Sequence, residues 1–412
     1  MSGNDRSGLN GGNMKIAILG YGTIGSGVFE IIENNAASIR KKAGDDIEVK
    51  YVLDLRDFPG DPAEKKLVHD FHIVAEDPEI ACVVETMGGV EPAYSFVKEL
   101  LLRGKSVCTS NKELVAKHGA ELLEIARQKK ENFFFEASVG GAIPVIRPIN
   151  ESFSADEIVE ICGIVNGTTN YILTKMFEDG EEFATALTEA QEKGYAERDP
   201  SADVEGHDAT RKIAILASLA CGAHVNYEKI HTEGITKLTT VDLGYARKLG
   251  KVIKLIAQMR KEEEGVYATV SPMLVGAGSP LYAVNGVYNG ILIKGRYTGQ
   301  IMFYGKGAGK LPTAAAVCSD VVECARNAGK NEPVFWSGKE QPLTDRMEEV
   351  NDFFVRVHAA DAGKVREVFD KITEVAPAEG EYAFTVKNVS ERDFIEKLKG
   401  IRVINRIRIL NV

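Results

Sequence analysis

Residues 14–27 read Met14-Lys-Ile-Ala-Ile-Leu19 and then Gly20-Tyr21-Gly22-Thr23-Ile24-Gly25-Ser26-Gly27, and this stretch decides the fold. The first six residues are a short apolar run stopped by glycine, the pattern of a strand buried in a parallel sheet. A helix pattern follows through Val28, Ile31 and Ile32. In that context each glycine has a physical reading. Gly20 permits the tight turn, Gly22 lets backbone amides approach a pyrophosphate, and Gly25 lets helix and strand pack closely. Thr23 and Ile24 open the helix, whose N-terminus favours an anion. The alternative is a glycine-rich turn without a ligand; the correct strand and helix on its flanks favour dinucleotide binding.

Working outward, Ile47–Leu53, Ala81–Glu85, Ser106–Thr109 and Phe133–Phe135 continue as strand-like runs, with helix patterns around 93–103 and 113–130. Such alternation predicts an α/β domain over 14–140, a Rossmann-like doubly wound parallel sheet. Asp54, at the end of the second strand, suits the ribose hydroxyls of NAD, whereas Arg56 and Arg40-Lys41-Lys42 suit the 2′-phosphate of NADP. These residues fit either dinucleotide. Thr86 follows the third strand, and Thr109-Ser110-Asn111-Lys112 ends the fourth, the edge at which such sheets place ligands. A lysine there can face nicotinamide and substrate, but a lone lysine at a strand end is usually just solvated.

Past residue 140 the pattern changes. Strand-like runs at 158–164, 266–273 and 291–297 are separated by long helix patterns at 181–193, 204–221 and 241–260, which predicts an α+β domain over 141–303. A second glycine loop, containing Gly305, Gly307 and Gly309, leads into a helix; 304–335 is expected to return to the first domain. Residues 336–350 have the composition of a polar linker. Beyond them, strands at 353–357, 382–386 and 402–410 with helices near 363–372 and 390–398 predict a small α+β module over 351–412. Residues 1–13 are polar, without a signal-peptide core, and are expected to be a disordered leader.

The 412 residues call for two or three domains, and 44% hydrophobic with 27% charged content is that of an ordinary globular protein. A formal net charge of −10 argues against nucleic acid as a partner. No apolar run approaches the ~18 residues of a membrane span. The six cysteines (82, 108, 162, 221, 318 and 324) stand singly, without metal-ligand spacing, and are expected to be reduced core thiols of a cytoplasmic protein.

Residues 194–212 (Gly-Tyr-Ala-Glu-Arg-Asp-Pro-Ser-Ala-Asp-Val-Glu-Gly-His-Asp-Ala-Thr-Arg-Lys) carry Glu197, Asp199, Asp203, Glu205 and Asp208 and close on Arg211 and Lys212, directly before an apolar helix. Acids and a lysine at the mouth of a buried element suit an amino-acid substrate. Asp208 and Lys212, four apart, share a helix face. Exposed, they are a weak surface pair; buried, desolvation lowers the lysine's pKa and poises Lys212 to take a proton from an alcohol. His207 lies on another face and is expected to be structural or solvated. Asn166-Gly167-Thr168-Thr169-Asn170 lies between a strand and a helix, where it serves equally to hold a carboxylate or simply to cap the helix.

Taken together, Gly20–Gly27, Ser110-Asn-Lys112, Glu136-Ala-Ser-Val139-Gly-Gly141-Ala-Ile143-Pro144, Asn166–Asn170 and Gly194–Lys212 resemble the homoserine dehydrogenase family, in the family's order and over residues 14 to about 330. The resemblance implies NAD- or NADP-dependent interconversion of aspartate 4-semialdehyde and homoserine, a step toward threonine and methionine. It makes Lys212 the proton donor and acceptor and places Lys112 beside the reacting carbon. Glu197, Asp203 and Asp208 would line the amino-acid site with Gly167 and Thr168. Backbone oxygens of Glu136, Val139, Gly141 and Ile143 would hold a structural monovalent cation, often sodium, and Gly307 and Gly309 would lie by the nucleotide. A homodimer or higher homo-oligomer is implied as well. The 351–412 module resembles an ACT-type regulatory domain only loosely: Ala360-Asp-Ala-Gly363 replaces the usual Asp-x-Pro-Gly, and the segment before Tyr382 looks short for a strand pair. An amino-acid effector such as threonine is therefore an open expectation. Two other classes, a semialdehyde-oxidising dehydrogenase with a thiol nucleophile and a non-catalytic dinucleotide-binding regulator, fit less well. No cysteine sits beside a histidine in a loop, and a regulator has no use for two lysines among three carboxylates.

Overall fold

The computed structural model describes residues 13–411, so the leader expected at 1–13 lies, but for Asn13, outside the described residues. The chain divides into two compact units. One runs to Glu157 and takes in Ile215–Asn226 and Gly305–Gln341; the other comprises Ile158–Ala214, Tyr227–Tyr304 and the chain from Pro342 onward.

The first unit is built on six parallel strands: β1 (Asn13–Leu19), β2 (Asp46–Leu53), β3 (Leu67–Val68), β4 (Ile80–Glu85), β5 (Ser106–Thr109) and β6 (Phe133–Phe134). Their order, β3-β2-β1-β4-β5-β6, reverses direction between β1 and β4, the place where doubly wound sheets hold ligands. Ile16, Ile18, Val49, Val52 and Val84 are wholly buried beneath the helices Thr23–Asn34 and Lys310–Arg326, each such side chain contributing roughly 1.5–3 kcal/mol. The two helices touch at Gly27, where a Cβ would stand 3.0 Å from that of Ala314. The segment Gly305–Gln341 packs within this unit. The 336–350 stretch carries the chain from this unit to the other, but its first part is paired rather than loose. Ser337–Glu340 pairs in parallel with Ala223–His224, and Trp336 is buried against Gly119, where a Cβ would come within 3.0 Å of its ring. One aromatic anchor outweighs the polar composition around it.

The second unit contains β7 (Ile158–Ile164), β8 (Lys251–Glu262), β9 (Gly265–Gly276), β10 (Tyr288–Gly295), β11 (Gly299–Lys306), β12 (Val350–His358), β13 (Ile372–Val375), β14 (Glu381–Ser390) and β15 (Val403–Ile409). They form one sheet in the order β11-β10-β7-β8-β9-β15-β12-β14-β13, and His231–Thr232 pairs with β9 as well. The helix expected over 241–260 stops at Lys248; Gly250, at φ +64°, turns the chain and β8 begins. Val252, Ile253, Leu255, Ile256, Ala257 and Met259 are all buried. A run apolar on both faces satisfies helix and strand periods alike, and glycine decides between them.

The C-terminal segment runs β12, helix Ala362–Val368, β13, β14, helix Glu391–Lys397, β15, in the spatial order β15-β12-β14-β13, a split βαβ arrangement. The segment that looked too short does hold a strand pair, because four residues suffice for β13. Nor does the segment stand apart: β15 pairs with β9 through Met273–Arg408 and Leu274–Ile409. Buried Arg408 bonds Glu391 (2.6 Å) and Glu233 (3.0 Å), and buried Arg356 bonds Asp242 and Glu381, each at 2.5 Å. Guanidinium forks of this kind hold carboxylates in a fixed register. Among the described residues no helix is long and apolar enough to cross a membrane.

Candidate active site

The nucleotide half is made of backbone. Gly20 sits at φ +92°, and its amide reaches Leu53 O at 2.8 Å. A Cβ on Gly25 would stand 1.9 Å from Gly20 O, so only glycine fits there. Around Gly22 the space is open, and as N-cap of the helix Thr23–Asn34 it offers no side-chain bond to the first-turn amides. Uncapped amides at the positive end of a helix are an anion site, so these residues fit a dinucleotide pyrophosphate. The Thr86 hydroxyl donates to Gly20 O (2.8 Å) and Leu19 O (3.2 Å), fixing the turn.

Asp54 is not poised for ribose. Its Oδ1 accepts the Arg56 amide (3.0 Å) and Nε (2.9 Å), while its Oδ2 accepts Tyr21 N (2.8 Å) and Arg56 Nη2 (2.9 Å). A carboxylate has about four acceptor sites, and four bonds occupy them. The Arg56 hydrogen bonds hold this carboxyl well below the usual carboxylate range. The Arg56 side chain itself remains 62% exposed.

At the end of β5, Asn111 caps the helix Lys112–Lys129, accepting Leu114 N at 3.1 Å and donating to Gly89 O at 2.6 Å. Lys112, half-buried, thereby opens a helix whose start is tied to the Gly88-Gly89 turn, and Ser110 precedes the cap. Wholly buried Glu85 accepts Thr109 Oγ1 (2.6 Å) and Met87 N (2.7 Å), and burial pushes its carboxyl up. Sequence reading missed Glu85; an acid closing an apolar strand was the available signal.

The carbonyls expected to hold a cation lie in a loop that turns sharply at Gly140 (φ +74°) and Gly141 (φ +56°), and carbonyl oxygens are hard donors. The turn's own bond, Ile143 N to Gly140 O at 2.9 Å, uses a carbonyl outside the set Glu136, Val139, Gly141 and Ile143. Gly307 O lies 2.5 Å from where a Gly141 Cβ would be, and Ala142 N bonds Lys306 O at 3.1 Å, so the return loop rests on this one. Gly309, at φ +121°, begins the helix Lys310–Arg326. The Glu136 carboxylate is otherwise engaged, accepting the amides of Val145 (2.6 Å), Ile146 (2.8 Å) and Arg147 (2.8 Å) at a helix start.

The amino-acid half, in the second unit, is made of side chains. Asn166 caps the helix Gly167–Glu178, its Oδ1 accepting Thr169 N at 2.9 Å, while its Nδ2 donates to Asp203 (2.6 Å) and Asp208 (2.8 Å). Asp208 pairs with Lys212 at 2.7 Å, and Lys212 Nζ also donates to Val165 O at 2.7 Å. Both members are buried, which removes the surface reading of this i,i+4 pair. A Cβ on Gly167 would meet Val287 O at 2.7 Å, so backbone can be approached there but no side chain added. Thr168 Oγ1 donates to Tyr195 O at 2.6 Å, which ties the helix start to the acid-rich loop.

Asn166, Asp203, Asp208, Lys212, Gly167 and Thr168 are therefore brought together, whereas Glu197 is exposed on the loop, its carbonyl taken by Gln191 Nε2 at 3.0 Å. Asp199 caps Ser201, Glu205 bonds Thr236 at 3.1 Å, and His207 is exposed. Two residues escaped sequence reading. Lys254 of β8 is buried and donates to Asn170 Oδ1, Val284 O and Asn285 Oδ1, and burial pushes it down to about 8. Asn289 of β10 is wholly buried with neither amide atom hydrogen-bonded, and its Oδ1 lies 3.7 Å from the position of a Gly167 Cβ. A polar residue inside an otherwise apolar strand was the signal for each.

The chain matches two family models, one described as homoserine dehydrogenase, NAD binding domain, over residues 20–136, and one described as homoserine dehydrogenase over residues 144–322. It is 46% identical over 343 residues to the homoserine dehydrogenase of a Synechocystis strain, covering 81% of this chain and 77% of that one. The crystal structure of a homoserine dehydrogenase from Thiobacillus denitrificans superimposes with a TM-score of 0.89 at 32% identity, covering 97% of this chain and 99% of the other. A hyperthermophilic archaeal homoserine dehydrogenase in complex with NADPH is similar at a TM-score of 0.65 and 27% identity, over 76% of this chain and 97% of that one.

Proposed function

The chain belongs to the homoserine dehydrogenase family and is an NAD(P)-dependent oxidoreductase, and we propose that Lys212 is its proton donor and acceptor. The observation that carries this is the buried Lys212 ammonium, held between Asp208 (2.7 Å) and Val165 O (2.7 Å). Bound, the nicotinamide supplies or takes up the hydride. The residues of the chain do the rest. The amides of Gly167 and Thr168, at a helix N-terminus, orient the substrate carboxylate. Asp203 and Asp208 orient its ammonium, with Asn166 fixing both acids so that little reorganisation accompanies binding. Lys212 holds the proton that passes to or from the substrate oxygen. Glu197, exposed on the same acid-rich loop, is the remaining acid of this set, and Lys112 acts on the nucleotide side. Replacing Lys212 by alanine tests the assignment. Turnover should be lost while dinucleotide binding persists, and a mutant retaining more than roughly a tenth of the rate refutes it.

The saturated Asp54 and exposed Arg56 favour NADP over NAD, since the guanidinium is a fork for a 2′-phosphate. The carbonyls of Glu136, Val139, Gly141 and Ile143 hold a monovalent cation such as sodium; the loop turns of Gly140 and Gly141 support this. The split βαβ order of 351–412 supports an ACT-like regulatory role with an amino-acid effector, and threonine titrated into an activity assay tests it. The protein acts as a cytoplasmic homodimer, a reading supported by six cysteines that form no disulfide.

A further inference from the structure

One cluster in the first unit serves neither half of the site. Cys82 of β4, Cys108 of β5 and Cys324 of the helix Lys310–Arg326 turn their thiols toward one another. Sγ of Cys108 is 3.7 Å from that of Cys82 and 3.6 Å from that of Cys324, and all three sulfurs lie within 4.8 Å of one another. Cys82 and Cys108 are wholly buried, and Cys324 is 3% exposed.

Three chemistries compete for such a cluster. The first is a disulfide between the strands. Cys82 is in register with Ser106, and Cys108 with Val84, so the two cysteines are offset by two residues on neighbouring strands. With ~3.3 Å per residue and ~4.8 Å between strands, their Cα atoms are about 8 Å apart, beyond the ~7 Å a disulfide spans. The second is inert packing, in which sulfur serves as an apolar filler. That reading accounts for burial but requires no convergence of three thiols from three elements. The third is metal ligation. Sulfurs around a thiophilic cation with bonds of ~2.3 Å are separated by roughly 3.8–4.0 Å, and the two spacings at Cys108, 3.7 and 3.6 Å, come within a few tenths of an ångström of that.

Ligand count and charge select the cation. Structural zinc takes four ligands, one more than the three sulfurs that converge here. A monovalent soft ion needs one thiolate for neutrality and accepts the other two sulfurs as thiols: Cu⁺ displaces one proton, forms three Cu–S bonds, and changes no oxidation state. Soft sulfur ligands favour Cu⁺ on chemical grounds. We propose that Cys82, Cys108 and Cys324 form a buried Cu⁺ site that pins the return helix Lys310–Arg326 to β4 and β5.

The test uses full-length protein carrying Cys221→Ser, which removes the partly exposed thiol, loaded anaerobically with Cu⁺ against a chromogenic chelator, with Zn²⁺ in a parallel arm. About one Cu⁺ per chain should resist the chelator and raise the unfolding temperature, with no stoichiometric zinc. Cys108→Ala and, separately, Cys82→Ala should each lose the bound copper and the stabilisation while still binding NADP, which reports that the unit is folded. Copper retained equally by both variants, or none bound by the parent, overturns the site; stoichiometric zinc in place of copper overturns the monovalent assignment.

Discussion

The nucleotide region of the first unit and the amino-acid region of the second are built by opposite means. Around Gly20, Gly22 and Gly25 recognition is left to backbone, with open space and uncapped amides; around Asn166 side chains dominate, with Asn166, Asp203, Asp208 and Lys212 already bonded to one another. A backbone site is specified by what is missing, a Cβ or a cap, and therefore by spacing in the sequence. A side-chain site is specified by which distant residues meet. The first accepts a ligand with little change, while the second exchanges existing bonds for substrate bonds and so discriminates more sharply.

The largest effect should come from breaking the side-chain half alone. Lys212→Ala should lower kcat by about 10²–10⁴-fold, with dinucleotide affinity, measured by nicotinamide fluorescence, within about twofold of the parent. Gly25→Ala attacks the other half. With Gly20 O 1.9 Å from the new methyl, the turn must open, and dinucleotide affinity should fall about a hundredfold, roughly 2.7 kcal/mol, while the bonds around Asn166 stay intact. Equal loss of activity and nucleotide binding in both variants would show that the halves are not separable. Arg56→Ala sharpens the contrast within the nucleotide half. NADP affinity should fall about tenfold, whereas NAD affinity should hold or rise as Asp54 is released for ribose. A fall for both cofactors alike would count against Arg56 as the 2′-phosphate contact. The smallest effect concerns the amide that has no partner. Asn289→Leu should raise the unfolding free energy by about 1–2 kcal/mol in urea titrations, because the buried unpaired amide costs that much. Destabilisation instead would mean that Asn289 does have a partner in solution.

The same contrast explains what the sequence disclosed. The order of β1, the glycine loop and the helix was legible because strand period, glycine spacing and helix period all agree over 14–34. Asp208 and Lys212 were legible as a pair because i,i+4 geometry is local, but their burial was not, since it depends on β7 and the helix Gly167–Glu178. Asp54 was placed correctly at the end of β2, yet its partner two residues away, weighed only as a rival for phosphate, closes it off. The 241–260 stretch was misjudged because an apolar run buried on both faces carries no single period, and Gly250 was passed over as the terminator. The cysteines looked solitary because Cys108 and Cys324 are 216 positions apart and meet only in three dimensions.

The position of β15 has a consequence in time. This strand lies between β9 and β12, both made before it. As the chain leaves the ribosome, those two strands present open edges until the last strand arrives to join them. Synthesis halted short of Val403 would leave an unfinished sheet with two sticky borders, a substrate for chaperones or for aggregation. Because β15 is made after both strands it joins, a stop before Val403 leaves both borders open and so reports itself.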